Sequence, residues 1–293
     1  MRGGSGMRPM LWTVPRPPSQ SPTLGPMAEV HPSAVVSGEA ELAADVRVGP
    51  NCVIEGPVRL GPGVHLIAGV HLSGRVSIGE GTVCYPGACI GFPPQDFKFT
   101  VGMRSAGVEV GAGCLIREHA TVHGASNDHT PTKIGNKVFM MVNTHVGHDA
   151  SVGDHCVLVN NAAVAGHCVI GERVNFGGAA IIHQHCRVGR LAMISGGSGF
   201  SADCPPFMIL SGRNNLVGIN IVGLKRNGFS TEEIATLRKM FRRLFRQPSS
   251  RDRLLEELEE GAKACPPLGE LADFVRESKR GICPGAGRRP RNV

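Results

Sequence analysis

Residues 145–186 read HVGHDA SVGDHC VLVNNA AVAGHC VIGERV NFGGAA IIHQHC when the chain is divided into groups of six. The second residue of every group is large and apolar, and the sixth is usually Ala or Cys. Gly, Asp or Asn commonly stands between them, where a chain can turn. A period of six fits neither a lone helix nor a two-residue alternation. It is typical of a coil of short parallel strands joined by tight turns.

The same period runs through most of the chain. Apolar residues follow it from Val30 to Ile90, from Val110 to Val122 and from Ile134 to Ile194, in 25 groups altogether. Three groups make one coil of 18 residues, and neighbouring coils lie about 4.8 Å apart. We therefore expect a mainly β protein with about eight coils of a parallel β-helix of hexapeptide repeats, in which each apolar residue stacks on the one 18 positions away.

Composition agrees with such a coil and excludes other classes of protein. Gly and Pro number 40 and 21, only 4% of residues are aromatic, and 19% are charged. The aliphatic core that this implies suits stacked strands, and the modest charge argues against a wholly disordered chain. Because no apolar run reaches the roughly 18 residues of a spanning helix, we predict that the chain is not an integral membrane protein.

The formal net charge of +7 is concentrated at the two ends of the chain. Residues 1–28 hold three Arg and no acid, and residues 279–293 hold five basic residues and no acid. Those eight charges leave −1 for the rest of the chain. A basic surface that binds nucleic acid is therefore not predicted, although basic tails can attract anions weakly.

The ten cysteines are expected to be reduced and mostly buried as small apolar side chains. A disulfide framework or a metal cluster is the alternative, but the sequence holds no C-x-x-C pair and the chain is long enough to fold without cross-links. This pattern favours a reducing compartment. Six cysteines occupy inward positions of their hexapeptides: Cys52, Cys84, Cys114, Cys156, Cys168 and Cys186.

Two insertions interrupt the period, and a change of period ends it. The breaks run from about Gly91 to Gly107 and from about Asn127 to Lys133, and insertions of this kind project outward as loops. The period disappears after Phe200, and Ser230 with Glu233 then forms the capping box of a helix.

Helical spacing predicts that this first helix ends by Pro248 and that residues 250–263 and 268–279 form two more. The expected division is a flexible N-terminal extension, the hexapeptide β-helix, a connecting segment, a C-terminal helical domain and a basic tail, at residues 1–29, 30–200, 201–229, 230–280 and 281–293.

Polar residues 18 positions apart cluster on one face of three coils. A His beside a carboxylate is a usual general base, so we interpret His148 as the base and Asp149 as its orienting partner. The alternative is that Asp149 only completes a turn. No covalent nucleophile is evident, which favours direct proton abstraction from a substrate hydroxyl. The clustered residues are His148, Asp149, His167, His183, Gln184 and His185, with His145 nearby at a corner.

Six motifs in register resemble the acyl-ACP:UDP-N-acetylglucosamine O-acyltransferases of lipid A synthesis, from about Val30 to Gly281. They are GFPPQDFK (91–98), IREHATVH (116–123), NTHVGHD (143–149), VAGH (164–167), HQH (183–185) and NIVGLKRNGFS (220–230). The resemblance implies transfer of a 3-hydroxyacyl chain from acyl carrier protein to the sugar 3-hydroxyl of UDP-N-acetylglucosamine. It also implies a homotrimer of left-handed parallel β-helices, each followed by a C-terminal α-helical domain, with active sites in the clefts between subunits.

The resemblance carries roles to individual residues. His148 would be the general base and Asp149 its support, with no metal and no cofactor, because the carrier protein thioester is the donor substrate. Gly196 would admit a longer acyl chain. Substrate contacts would come from Gln95, Asp96, Lys98, His145, His167, His183, Gln184, Asn220 and Arg226. The basic helix face predicted to dock the acidic carrier protein is Arg238, Lys239, Arg242, Arg243 and Arg246.

This sequence departs from the family pattern at several positions. Gly124 stands where the family usually has Arg after the His, Val222 replaces a frequent Glu, Asn227 replaces a frequent second Arg, and His185 replaces a usual aromatic residue. These changes leave the base intact. They leave a related donor or a modified amino sugar open as substrate.

Three other readings stay open at this point. A hexapeptide-fold carbonic anhydrase would use three His to hold zinc with one open coordination position, a related sugar-nucleotide acyltransferase would share the β-helix, and a non-catalytic scaffold would leave the polar face unexplained. We expect a bacterial, cytoplasmic protein. The alternative is mitochondrial import, if the acid-free residues 1–26 are a transit peptide.

Overall fold

The computed structural model describes residues 28–100, 102–245 and 250–285. Its strands are numbered β1 to β28 in chain order, and all but the last pair form parallel ladders in three sheets. Each strand pairs with the strand one coil later in the sequence: His145 pairs with Ala163 and Val146 with Val164, in each case 18 residues on. The hexapeptide coil expected from the sequence is therefore confirmed.

We call the three sheets A, B and C. Sheet A contains β1 (Glu29–Val30), β4 (Arg47–Val48), β7 (His65–Leu66), β10 (Val83–Cys84), β13 (Leu115–Ile116), β16 (Phe139–Met140), β19 (Val157–Leu158), β22 (Asn175–Phe176), β25 (Met193–Ile194), β27 (Met208–Leu210) and β28 (Leu216–Ile219).

Sheet B contains β2 (Val35–Val36), β5 (Val53–Glu55), β8 (His71–Ser73), β11 (Cys89–Ile90), β14 (Thr121–Val122), β17 (His145–Val146), β20 (Ala163–Val164), β23 (Ile181–Ile182) and β26 (Gly199–Phe200). Sheet C contains β3 (Glu41–Leu42), β6 (Val58–Leu60), β9 (Val76–Ile78), β12 (Val108–Val110), β15 (Thr132–Ile134), β18 (Ser151–Val152), β21 (Val169–Ile170) and β24 (Arg187–Val188). The coil has nine strands on sheet B and ten parallel strands on sheet A, more than the eight coils expected, because Phe200 extends sheet B and Leu210 extends sheet A.

The core is a set of stacked columns inside the coil. From β4 onward, the apolar second residue of each hexapeptide in the parallel strands is buried while its neighbour faces outward, as in Ile170, 2% exposed, beside Val169, 49% exposed. The six cysteines expected to point inward are all buried. The core therefore consists of columns of single stacked side chains inside the coil, and not of a layer packed between two separate sheets.

Tight corners recur with the same period because one residue in each adopts a left-handed backbone. Between residues 137 and 191 these positions are mostly not Gly: Lys137, Asn143, Asp149, His155, Asn161, His167, Arg173, Ala179, His185 and Leu191 all have φ between 53° and 63°. Left-handed backbone is unusual for such residues.

The helical part follows β28. It contains α1 (Ile221–Arg226), α2 (Thr231–Met240), a π-helical turn (Phe241–Phe245), α3 (Arg251–Ala262) and α4 (Pro266–Glu277). The Ser230–Glu233 capping box is formed. The α-helical part of the first predicted helix ends earlier than expected, at Met240, and Pro248 lies outside the described residues. Helix α4 begins two residues earlier than expected, with Pro at its first turn.

Salt bridges hold the helices against the coil. Arg190, at the end of the coil, pairs with Glu270 of α4 at 2.7 Å and lies over the ring of Phe207. Arg187 pairs with Glu277 at 2.9 Å. Among the described residues no helix is long and apolar enough to span a bilayer.

Candidate active site

The polar cluster and both insertions share one edge of the coil, which we call the B–C corner because it joins each strand of sheet B to the next strand of sheet C. The histidines lie in its segments 147–149, 165–167 and 183–185. The insertions leave it between β11 and β12 (residues 91–107) and between β14 and β15 (residues 123–131). Residues 123–126 correspond to the four residues of an ordinary corner, so the extra residues begin at the expected Asn127. Two loops and the cluster therefore stack on adjacent coils.

His148 and Asp149 form a close pair in this corner. Nδ1 of His148 lies 2.7 Å from Oδ2 of Asp149, and the two side chains are only 12% and 8% exposed. The carboxylate also accepts hydrogen bonds from the hydroxyl of Ser126 at 2.6 Å and the amide of Asn127 at 2.6 Å. Asp149 does occupy a turn, with φ +59°, but its carboxylate is fixed by three side chains as well.

These bonds determine the charge of the carboxylate. Burial raises the pKa of Asp149, but the hydrogen bonds from Ser126, His148 and Asn127 outweigh burial and hold the pKa below its ordinary value. The carboxylate is therefore ionised at neutral pH. It keeps the proton of a neutral imidazole on Nδ1 and leaves the lone pair of Nε2 for a substrate.

A missing side chain makes room for this imidazole. Gly166 lies one coil above His148, and a Cβ on it would stand 2.8 Å from Nε2 and 2.9 Å from Cε1 of His148. Contacts that short do not occur in folded proteins without a shift of one partner. Gly166, which stands between His148 and Gln184 in their column, is thus part of the site because it leaves room for the imidazole. The spacing of residues in the sequence did not reveal this role.

Further rings continue the column toward the C-terminal end of the coil. The rings of His148 and His167 meet edge to face with centroids 5.0 Å apart, and those of His167 and His185 stack at 4.5 Å. His183, Gln184 and His185 are exposed. Burial and then the charge of His167 lower the pKa of His185, so this ring is neutral at pH 7.

His145 occupies a strand and not a corner, contrary to the expectation from sequence. It faces outward from β17, and its Nδ1 lies 2.8 Å from the hydroxyl of Thr121. Burial, followed by the nearby His123 and His148, lowers the pKa of His145 to about 4. It is a neutral hydrogen-bonding group at physiological pH.

His123 was not among the predicted site residues, yet it lies against this cluster. Its ring meets that of His145 edge to face at 5.4 Å, and its Nδ1 is 2.9 Å from the carbonyl oxygen of Pro93 in the first loop. Ser126 and Asn127 were missed as well. The available signal was their position in an insertion one coil below Asp149, which becomes useful only once both loops are known to leave the same corner.

A zinc site of the carbonic anhydrase kind does not match these bonds. His148, Asp149 and His167 are the one group of three potential ligands that the described part of the chain brings within 4.8 Å. However, Nδ1 of His148 is bonded to the carboxylate, and both carboxylate oxygens accept bonds from Ser126 and Asn127. The arrangement suits a base with a fixed tautomer better than a metal with an open position.

The first loop carries three other predicted residues beside the column. Gln95 and Lys98 are exposed, and Asp96 accepts a hydrogen bond from the backbone N–H of Lys98 at 3.0 Å. Phe97 is fully exposed at 106%. No hydrogen bond or ion pair in the described structure joins these side chains to His148.

Three predicted residues lie away from His148 within this chain. Gly196 follows β25 at the corner between sheets A and B, on the opposite edge of sheet B. Asn220 caps α1: it accepts from the N–H of Gly223 and donates to the carbonyl of Leu191. Arg226 is exposed in the last turn of α1. The side chain of Asn220 therefore has a structural role here.

The predicted docking residues line one groove beside α2. Arg238, Lys239, Arg242 and Arg243 border it together with Lys225 of α1. All of these side chains are exposed, and Arg243 pairs with Glu257 of α3 at 2.8 Å. Arg246 lies outside the described residues. The groove has an apolar floor that includes Ile221 and Ile234.

Comparison with known proteins gives consistent matches. A family model described as UDP N-acetylglucosamine O-acyltransferase, domain 2, matches residues 203–283. The acyl-[acyl-carrier-protein]–UDP-N-acetylglucosamine O-acyltransferase of Thermodesulfovibrio yellowstonii is 39% identical over 259 residues, 88% of this chain and 100% of that protein. The protein of the same name from Syntrophobacter fumaroxidans is 37% identical over 87% of this chain and 99% of its own length. The crystal structure of the Francisella novicida UDP-N-acetylglucosamine acyltransferase matches with a TM-score of 0.84 and 32% identity over 88% of this chain and 95% of that one.

Proposed function

The chain belongs to the family of acyl carrier protein-dependent UDP-N-acetylglucosamine O-acyltransferases, and from that premise we propose that the B–C corner is its active site. The activity named for its relatives, transfer of an acyl group from acyl carrier protein to UDP-N-acetylglucosamine, is the activity of this chain. Identity of 39% over the full length of a relative supports it. The observation that carries the assignment to the corner is the 2.7 Å bond between His148 and an ionised Asp149.

The pair acts through Nε2 of His148. Nε2 takes the proton of the acceptor hydroxyl while the hydroxyl oxygen bonds to the thioester carbonyl carbon. The carbon–sulfur bond then breaks, and the imidazolium returns the proton to the departing sulfur. The products are a sugar ester and the free thiol of the carrier. Asp149 stabilises the imidazolium and fixes the ring, and the chemistry requires no metal or cofactor.

The family pattern supports a finer assignment of substrate. The acceptor is the sugar 3-hydroxyl and the donor a 3-hydroxyacyl chain. His145, His167 and Gln184 bind the sugar nucleotide, while Asp96 and Lys98 contact the substrate near the pantetheine arm. Exposure of Gln184 and Lys98, and partial exposure of His145, His167 and Asp96, supports the proposal. A modified amino sugar is the alternative acceptor, since Gly124, Val222 and Asn227 depart from the family pattern.

The active unit is a homotrimer. Two features of the surface support this. Outward side chains of sheet A include a half-buried apolar stripe made of Val83, Leu115, Phe139, Val157 and Met193, whereas those of sheet C are largely polar or charged. Gly196, assigned to the acyl chain, stands on the opposite edge of sheet B from His148. A neighbouring subunit would cover the stripe and bring a second edge to the site.

Location in the bacterial cytoplasm is proposed from the bacterial source of both curated relatives.

Replacement of the base tests the proposal. We expect His148→Ala to lower acyl transfer from 3-hydroxyacyl carrier protein to UDP-N-acetylglucosamine by about a hundredfold or more, because general base catalysis contributes that much. His155→Ala is the control, since His155 lies at a corner between sheets C and A. Transfer by the wild type that survives in His148→Ala would contradict the assignment of the base. Absence of transfer by the wild type, with one bound zinc per chain, would contradict the activity itself.

A further inference from the structure

The chain returns to the B–C corner after α4. The backbone N–H of Asp203 donates to the carbonyl of Gly281 at 2.8 Å, and the N–H of Cys283 donates to the carbonyl of Asp203 at 2.9 Å. Asp203 follows His185 by one coil length of 18 residues. The segment 278–285 therefore covers the corner one coil beyond His183, Gln184 and His185.

This segment holds a cation directly above the polar column. Nε of Arg280 donates to the carbonyl oxygen of Ser201 at 3.1 Å, and Ser201 follows His183 by 18 residues. Arg280 is exposed overall. Within the described ranges, no carboxylate lies at ion-pair distance from Arg280. The bond to Ser201 and a contact with the thiol of Cys186 anchor the side chain, and no described carboxylate takes up its charge.

The groups around Arg280 do not neutralise it. Burial raises the pKa of Cys186 to about 11 and that of Cys168 to about 12, so both thiols are uncharged. His185 is neutral because burial, His167 and then Arg280 itself lower its pKa. Asp203 is ionisable but buried, and its two oxygens accept from the N–H of Arg187 and the hydroxyl of Ser278. Asp203 is thus bonded to Arg187 and Ser278 and not to Arg280, which stays an exposed cation at the C-terminal end of the column.

We propose that Arg280 binds the diphosphate of the acceptor sugar nucleotide. This inference rests on the proposed function, which puts the acceptor hydroxyl at His148. Three coil steps of about 4.8 Å separate the level of His148 from that of Arg280, a span comparable to a hexose ring followed by a diphosphate. The polar column leads from one to the other along the same corner. A guanidinium offers paired donors that match phosphate oxygens.

The proposal gives the C-terminal segment a part in substrate binding. The coil alone ends in the amide of Gln184 and the neutral imidazole of His185. A dianionic linker lying there would need a cation. Arg280 supplies that cation from a segment that the helices bring back to the coil, independently of Arg226 on α1.

Binding of UDP and of uridine tests the proposal, because only UDP carries the diphosphate. Calorimetric titrations would compare the wild type with Arg280→Gln, and with Arg59→Gln as a control at an exposed Arg on sheet C. We expect Arg280→Gln to weaken UDP binding about tenfold or more, as loss of a charged hydrogen bond does, with uridine affinity unchanged. In the transfer assay the KM for UDP-N-acetylglucosamine should rise with kcat nearly unchanged.

Equal losses for UDP and uridine would overturn the proposal, since they would mean that Arg280 only supports the shape of the corner. Unchanged UDP affinity in a folded Arg280→Gln would overturn it as well. If that variant does not fold, Arg280→Lys serves instead. We expect Arg280→Lys to weaken UDP binding by a few fold and to leave uridine binding unchanged. Unchanged UDP affinity, or an equal loss of affinity for UDP and uridine, would contradict the proposal. Acyl transfer by the wild type is measured first. Absence of that transfer would contradict the proposed function, whereas the titrations test the role of Arg280 alone.

Discussion

Gly166 shows how one atom can decide the chemistry of this corner. The imidazole of His148 occupies the volume that a Cβ on residue 166 would fill. That ring is held at its Nδ1 edge by Asp149, and the centroid of the His167 ring lies 5.0 Å from its own. The direction of Nε2 is therefore set by a carboxylate and by the absence of a side chain.

Gly166→Ala is expected to reduce transfer while leaving the fold intact. The new methyl group would push the ring of His148 aside, and displacement of a catalytic group by about 1 Å costs about a hundredfold in rate. Steady-state kinetics and thermal melting measure the two effects. Gly38→Ala is a matched control: it has the same place in its hexapeptide, and a Cβ there meets nothing within 4 Å. Wild-type kcat in Gly166→Ala would show that the ring does not need its observed position.

Sequence reasoning reached the members of this cluster but not their bonds. Spacing of 18 placed Asp149, His167 and His185 in one column, which the stacked rings confirm. It could not show that Ser126 and Asn127 hold the carboxylate, because an insertion has no repeat to fix its position. It also put His145 at a corner, whereas that residue lies in a strand.

At the scale of the strand, each two-residue element contributes one side chain to the core. Ile170 is 2% exposed and its neighbour Val169 is 49% exposed, although both are β-branched residues of the same strand. Since side chains alternate across a strand, burial depends on the position within the hexapeptide and not on residue type.

Ile170→Ala should therefore destabilise the coil far more than Val169→Ala. Truncation of a buried Ile costs about 2–5 kcal/mol, while an exposed substitution usually changes stability by less than about 0.5 kcal/mol. Melting temperatures of the two variants provide the comparison. Equal shifts would mean that the columns do not carry the stability of the coil. Sheet C suits this test because its largely polar outer face keeps it apart from the apolar stripe of sheet A.

At the scale of the whole molecule, the helices add a charged surface to a nearly neutral coil. The groove beside α2 combines Arg238, Lys239, Arg242 and Lys225 with an apolar floor. An acidic carrier protein would be attracted to it from a distance, and its acyl arm would then reach the coil. Charge complementarity of this kind mainly raises the association rate.

Reversal of charge in the groove tests this docking surface. We expect the double substitution Arg238→Glu, Lys239→Glu to raise the KM for acyl carrier protein about tenfold or more at low salt, as loss of electrostatic steering does. The KM for the sugar nucleotide should not change. The difference should shrink as salt screens the charges. Arg59→Glu with Lys133→Glu on sheet C is the control, and an equal effect there would refute docking at α2.

The sequence by itself determined the coil, the division between strands and helices, and the column of polar residues. It could do so because a hexapeptide repeat is local, and stacking similar units leaves a single register in which the repeating apolar columns face inward. The tertiary structure alone decided which distant segments meet the column. Ser126 reaches Asp149 from a loop, Gly196 stands on the opposite edge, and Arg280 returns after four helices. Those positions follow from how loops and helices pack against the coil, and no repeat in the chain encodes them.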